Sequence, residues 1–308
     1  MITAQALTKK FGTTTAVDNL TFTISPGQVT GFLGPNGAGK TTTMRMLLGL
    51  DTPTSGTALI QNVPYRDLPN PLRTVGALLD AKWVHPNRSA RSHLRWLAAS
   101  NNIPQTRVAE VLGLVGLTEV ATKPAGGFSL GMSQRLGLAA ALLGDPPILL
   151  FDEPLNGLDP EGIHWMRGFM RALAGEGRTV LVSSHLLSEM EHTAERLIVI
   201  GLGALIADTT TQDFIEHASE STVRVRSPHR DKLRDLLTRT WTVREEADAL
   251  LVTGATPEAI GELAAANSIT LYELAPQRAS LEEAFMRMTG GAVRYQTAGF
   301  PAVMGGAL

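Results

Sequence analysis

Two hydrophobic periods share this chain. Short β-rich runs stand at Gln28 to Leu33 (QVTGFL), Pro147 to Phe151 (PILLF) and Thr179 to Ser184 (TVLVSS). PILLF is apolar on both faces, the pattern of a buried parallel strand. Between these runs the spacing turns helical: Thr42 to Leu50 is one such stretch, and LGLAAALLGDP after Arg135 is another. From Ala81 to about Gly127 helical patterns dominate, including SARSHLRWLAAS and TRVAEVLGLVGL. Buried strands alternating with helical segments predict an α/β fold.

After Asp208 the composition shifts. Ser221 to Arg226 alternates as a strand does, and Asp231 to Thr240 has helical spacing. Thr242 to Thr253 suggests two strands, Thr256 to Asn267 a helix, and Ile269 to Leu274 is β-rich again. The order β-α-β-β-α-β predicts a small ferredoxin-like α+β unit. The chain thus divides into a nucleotide-binding domain at 1–208, with a helical subdomain at about 81–135, an accessory domain at 209–290 and a flexible Gly/Ala-rich tail at 291–308.

The 308 residues suit about two domains. A net charge of −2 gives no global attraction to nucleic acid or anionic lipid. The local cluster Arg224, Arg226, Arg230, Lys232 and Arg234 reads as a solvated face. No cysteine is present, so disulfide and thiolate chemistry are excluded. The most apolar stretch, Leu136 to Phe151, is interrupted by Gly144, Asp145, Pro146 and Pro147. Nothing approaches the ~18–20 uninterrupted apolar residues of a membrane span. The start, MITAQALTKKFG, lacks the pattern of a signal peptide. A soluble protein is expected, with any membrane role arising through a partner.

The chemistry lies between the elements. Gly34 to Thr42 reads GPNGAGKTT, a phosphate-binding loop set between a strand and a helix. Gly34, Gly37 and Gly39 let the backbone curl, with Pro35, Asn36 and Ala38 between them, so that N–H groups face phosphate oxygens. The helix starting near Gly39 adds its positive end. Lys40 suits the β- and γ-phosphates, the Thr41 hydroxyl suits Mg²⁺, and Thr42 completes the loop. At the end of the run Ile148 to Pro154 (ILLFDEP), Asp152 is placed to hold Mg²⁺ and Glu153 is the candidate general base toward an attacking water.

Phe128 to Arg135 reads FSLGMSQR. Here the chain resembles the ATP-binding subunit of an ABC transporter, with Ser129 and Gly131 matching the most characteristic positions of that family's LSGGQ signature. Phe11-Gly12 matches the aromatic adenine loop, Asn156 to Asp159 the D-loop, and His185 the switch histidine. The resemblance covers Met1 to about Ile206. SLEEAFMRMTG, from Ser280 to Gly290, looks like the closing stretch of the drug- and bacteriocin-resistance (daunorubicin/bacitracin-like) branch. It implies a P-loop NTPase core of ABC type with an inserted helical subdomain. ATP and Mg²⁺ are the implied cofactors, and two subunits close around two ATP, Ser129 and Gly131 capping the nucleotide of the opposite subunit. Phe11 would stack on adenine, and His185 would contact the γ-phosphate and orient Glu153 or its water. Integral-membrane permease subunits and a second ATP-binding subunit, giving a homodimer, are the implied partners, with no nucleic acid. The implied location is cytoplasmic, peripheral on the inner face of the cell membrane.

Three departures bear on function. Leu130 and Met132 replace glycine and glutamine of the commonest signature, and Asn156 replaces the usual D-loop serine. Asp80 stands where a glutamine usually links Mg²⁺ to the membrane partner, which makes it a third candidate metal residue with Thr41 and Asp152. Trp83, His85 and Trp96 either meet a permease or, for the tryptophans, pack the helical subdomain. The reading that results is an ATPase powering a separate permease, exporting a drug-like or peptide/lipid substrate. A soluble ABC-type ATPase acting on DNA or ribosomes is the alternative. It is disfavoured because only about a hundred residues separate the two nucleotide motifs, too few for a long coiled coil, and only one cassette is present.

Overall fold

The structure, a computed structural model, describes residues 1–80, 83–218, 222–277 and 280–289; the expected tail at 291–308 lies outside them. It contains three sheets. The first is antiparallel, ordered β2-β1-β4, from β1 (Ile2–Phe11), β2 (Thr14–Ile24) and β4 (Ser55–Ile60). The second carries the site. Its order is β5-β6-β7-β3-β8-β9, from β3 (Val29–Leu33), β5 (Val75–Leu78), β6 (Ile148–Asp152), β7 (Thr179–Ser184), β8 (Arg196–Gly201) and β9 (Ala204–Thr210). All neighbours pair in parallel except β8 with β9. Every residue of β3, β6 and β7 is buried, which is why these strands lack polar alternation.

Helices cover this sheet: α1 (Lys40–Leu47), α2 (Pro71–Thr74), α3 (Ala90–Ser100), α4 (Thr106–Leu114), α5 (Leu130–Leu142), α6 (Pro160–Gly175) and α7 (Leu187–Glu191). Their starts are written locally. Ser89, Ser129 and Asp159 are N-caps whose side chains accept from Ser92, Met132 and Gly162 amides, and Pro160 fills the first position of α6. In α3 the buried residues Ala90, His93, Leu94 and Ala98 mark one helical face. That face belongs to the same continuous core as residues of β3, β6 and α6, with α5 packed against β5 and α3 and α4 packed against α5.

The third sheet is antiparallel, ordered β11-β12-β10-β13, from β10 (Thr222–Arg226), β11 (Thr242–Glu246), β12 (Ala249–Thr253) and β13 (Glu273–Gln277). Helices α9 (Arg230–Leu237) and α10 (Pro257–Ala266) close a separate small core of Val223, Val225, Leu233, Leu237, Leu250, Val252 and Ile260. The strand expected at Ile269 to Leu274 lies later, at β13. Ser268 has φ 54° and turns the chain, Ile269 is buried beneath α10, and pairing with β10 begins only at Glu273. Its hydrophobicity comes from packing, not from strand alternation.

The flanks of this unit belong elsewhere. β9 continues through the expected boundary at 208. Helix α8 (Thr211–Ala218) places Phe214 in the first core, and α11 (Leu281–Thr289) places Leu281, Ala284 and Phe285 there as well. Thr222 and Gln277 are paired partners, so the chain enters and leaves the small sheet side by side. The four arginines of the basic cluster are paired with carboxylates, while Lys232 donates to the Asn267 carbonyl. Arg224 and Arg226 meet Asp248 and Glu273, while Arg230 and Arg234 meet Glu245.

Candidate active site

Strands β6, β7 and β3 are neighbours, and their carboxyl ends deliver Asp152, His185 and the loop after Leu33 to one edge of the sheet. That edge is where α/β sheets bind ligands. Within the loop Pro35 is half-buried, Asn36 and Gly37 are exposed, and Ala38 is buried. Gly39 has φ 103°, and a Cβ there would stand 2.6 Å from the Ala16 carbonyl oxygen, so only glycine fits. Helix α1 begins at Lys40. Its first amides, through Thr42, precede the first intrahelical bond, from Thr43 N–H to the Gly39 carbonyl. The loop therefore presents unspent donors and the positive end of a helix, a ready anion site.

Lys40 is buried, and its ammonium donates to the carbonyls of Gly34 (2.7 Å) and Pro35 (3.3 Å). It also faces Glu153 Oε1 at 3.5 Å. On its other side Glu153 Oε2 lies 2.8 Å from His185 Nδ1. One carboxylate thus bridges a fixed cation and an imidazole, while Glu153 itself keeps a fifth of its side chain exposed to solvent. Glu153 has φ 49°, the left-handed region that non-glycine residues rarely adopt. Ser183 secures this turn, accepting from the Glu153 amide at 2.9 Å and donating its hydroxyl to Asp152 Oδ1. Asp152 Oδ2 accepts from the Thr41 hydroxyl at 2.6 Å.

Oxygen donors are the right chemistry for Mg²⁺, and Thr41 with Asp152 brings a hydroxyl and a carboxylate together at the mouth of the loop. Among the described residues no group of three or more His, Asp or Glu could hold a metal alone. A two-ligand protein share matches the habit of Mg²⁺, which takes most of its shell from phosphate and water. Asp80 follows β5, whose Leu78 pairs with Phe151 of β6, so it emerges over the same sheet edge as Asp152. It lines a groove of about 380 Å³ with Arg45, Leu50, Tyr65, Leu79, Trp83 and Leu97. Trp83 and Trp96 are both exposed and flank the buried His93. Phe11 is exposed at the end of β1, with the Lys9 ammonium 5.0 Å from its ring centre.

Ser129 and Gly131 are not brought to Lys40. They line another recess, of about 500 Å³, with the D-loop residues Gly157 to Asp159 and with Arg135 and Trp165. Ser129 accepts from the Met132 amide at 3.2 Å, so its hydroxyl hydrogen is left for an outside acceptor. Leu130 lies directly on Gly157, which has φ 70°, and Gly131 faces Leu158. Two features went unread in the sequence. The bridging role of Ser183 was hinted only by a hydroxyl pair closing an otherwise apolar strand. The contact of Leu130 with Gly157 had no local signal.

Comparison with known proteins agrees with this geometry. The family described as "ABC transporter" matches residues 17–156, and one described only as a domain of unknown function matches residues 221–282. The chain is 37% identical over 298 residues to the uncharacterized ABC transporter ATP-binding protein YhcH of Bacillus subtilis, covering 92% of this chain and 94% of that one. It is 35% identical over 295 residues to the bacitracin transport ATP-binding protein BcrA of Bacillus licheniformis, covering 92% and 96%. Among solved structures, the ATP-binding cassette MJ0796, a dimer in a post-hydrolysis state bound to ADP and Pi, superposes with a TM-score of 0.62 at 26% identity. The match covers 68% of this chain and 99% of that one.

Proposed function

Because the chain belongs to the ABC transporter ATP-binding proteins and hydrolyses ATP to power transport, we propose that Lys40, Glu153 and His185 are the residues that carry out the hydrolysis. The observation that carries this reading is the bridge from Lys40 through Glu153 to His185, at 3.5 and 2.8 Å.

Lys40 and the first amides of α1 hold the β- and γ-phosphates of ATP. Thr41 and Asp152 would hold Mg²⁺, which when bound would screen phosphate charge, and Asp80, beyond the neighbouring strand β5, would be a third oxygen donor to it. Glu153 accepts a proton from the attacking water through its carboxylate, and the Ser183 bond to its amide keeps that carboxylate aimed. His185 orients Glu153 through Nδ1. Phe11 stacks on adenine. Ser129, through its hydroxyl hydrogen, and the amides near Gly131 cap the nucleotide of a second copy, since they stand apart from this chain's own loop.

Two partners follow: a second ATP-binding subunit, most simply another copy, and a permease. The groove lined by Leu50, Tyr65, Leu79 and Trp83 supports the latter, being an exposed apolar surface beside the site. No helix among the described residues is long and apolar enough to cross a membrane. We place the chain on the cytoplasmic face of the cell membrane. The drug-resistance resemblance points to export, with the bacitracin transport protein indicating the class of cargo. Residues 222–277 form a ferredoxin-like accessory unit, supported by their strand order and separate core.

Capture of tagged Glu153→Gln from detergent-solubilised membranes with ATP, followed by mass spectrometry, tests the assignment. A stoichiometric polytopic protein is expected. Recovery of ribosomes, DNA or soluble partners alone would refute the permease.

A further inference from the structure

We propose that Glu191 is a positioning residue for ATP hydrolysis: it latches α11 onto α7 and so holds His185 over Glu153. The inference rests on the role given above to His185.

The N-terminus of α11 is doubly capped. Ser280 and Glu283 form a reciprocal box, with Glu283 N–H bonded to Ser280 Oγ (3.2 Å) and Ser280 N–H to Glu283 Oε2 (3.0 Å). The box leaves the Leu281 amide, and Glu191 takes it at 2.9 Å from ninety residues away in sequence. A carboxylate at this end also meets the positive pole of the helix. Beneath it Leu281, Ala284 and Phe285 are buried in one core with Met190, Ala194 and Phe214. Helix α11 is thus part of the ATPase body, although it follows the small sheet in sequence.

Helix α7 has five residues, too few to persist without tertiary support. Only Leu186 separates it from His185. The link is short and tied, because the Leu186 amide bonds to Ser184 Oγ at 2.9 Å. On the far side Arg167 holds Glu189 at 3.3 Å, and Thr193 donates to the Glu189 carbonyl. Met190 is buried toward β3, and helix α11 adds a further wall through Glu191. Loosening that wall frees α7, and with it the 2.8 Å contact between His185 and Glu153. Since α11 is reached through residues 222–277, the same contact gives the small sheet a route to the catalytic histidine.

The test is steady-state ATPase kinetics on full-length variants. Glu191→Ala is expected to lower kcat roughly tenfold, about 1.4 kcal/mol of transition-state positioning, with KM for ATP within about twofold because the phosphate loop is untouched. Glu191→Gln, which keeps an oxygen acceptor, is expected to recover most of kcat. In a His185→Ala background the Glu191→Ala effect should vanish, which a merely structural weakening would not do. Hydrogen exchange should show faster exchange over 186–191 in Glu191→Ala. If that variant does not accumulate folded, Glu191→Asp, which withdraws the carboxylate by one methylene, gives the same comparison. Wild-type kcat in the Glu191 variants, with His185→Ala slowed to a measurable residual rate, overturns the latch and leaves the site reading intact. Wild-type kcat in His185→Ala overturns the site reading itself, and the latch with it.

Discussion

Glu153 and His185 stand 2.8 Å apart, yet they follow the ends of different strands and are thirty-two residues apart in sequence. Their meeting depends on β6 and β7 being adjacent and in parallel register, with Asp152 opposite Ser183. A carboxylate held between an imidazole and the Lys40 ammonium is fixed in direction but still open to water.

Glu153→Gln removes the proton acceptor and keeps the shape. Nucleotide binding is expected to persist, turnover to fall by about 10²-fold or more, and an ATP-dependent dimer to accumulate. Size-exclusion chromatography with and without ATP, alongside a phosphate-release assay, checks both effects. Hydrolysis at the wild-type rate would remove Glu153 as the base.

Lys40→Ala removes the buried ammonium at the head of α1. ATP affinity is expected to drop by at least tenfold, since a charge-assisted contact is worth roughly 1.5–3 kcal/mol. Calorimetric titration decides it, and unchanged binding refutes the phosphate role.

Gly157→Ala should harm the protein in two ways. The left-handed backbone at φ 70° penalises any Cβ by roughly 1–2 kcal/mol, and that Cβ would run into the Leu130 side chain. Leu130→Ala in the same chain removes the collision but not the backbone term. Thermal denaturation of the single and double variants is expected to show partial rescue; strict additivity would deny the contact any energetic weight.

His93 supplies a pH dependence. It is 2% exposed, both ring nitrogens lack hydrogen-bond partners, and burial, aided by the Arg88 charge, pushes its pKa down to about 4. The unfolded chain therefore binds a proton near pH 6.5 that the folded chain refuses until about pH 4. The contribution of His93 to stability is unchanged above pH 6.5 and is lost as pH drops from there toward 4, by roughly 3 kcal/mol in all. His93→Phe should flatten this slope and raise Tm at pH 5, because an apolar ring replaces two unpaired nitrogens. An unchanged slope in the variant would assign the acid sensitivity to other groups.

The phosphate loop, Asp152, Glu153 and His185 were legible because each stands at the end of an apolar strand, a local pattern that one-dimensional spacing preserves. Ser183 was not legible: its work is done across a strand pair, and register is not written in a single segment. Asp80 was visible as an odd residue, but its setting beside Trp83 and Arg45 depends on how the helices close over the sheet. The late start of β13 shows the same limit in the small unit, where Ile269 and Leu271 are apolar because they pack under helices. The N-caps Ser89, Ser129 and Asp159 are local devices and sit where the hydrophobic periods change.

Thr222 and Gln277 are partners in one ladder, and the helices on either side of them pack into the main body. The small sheet is therefore a cartridge rather than an extension. Its fold is closed at its own neck, so replacing residues 222–277 with another unit of similar neck width would leave β9, α8 and α11 in place. The inserted unit and the nucleotide-binding body each keep a hydrophobic core of their own, so a change in one need not disturb the packing of the other.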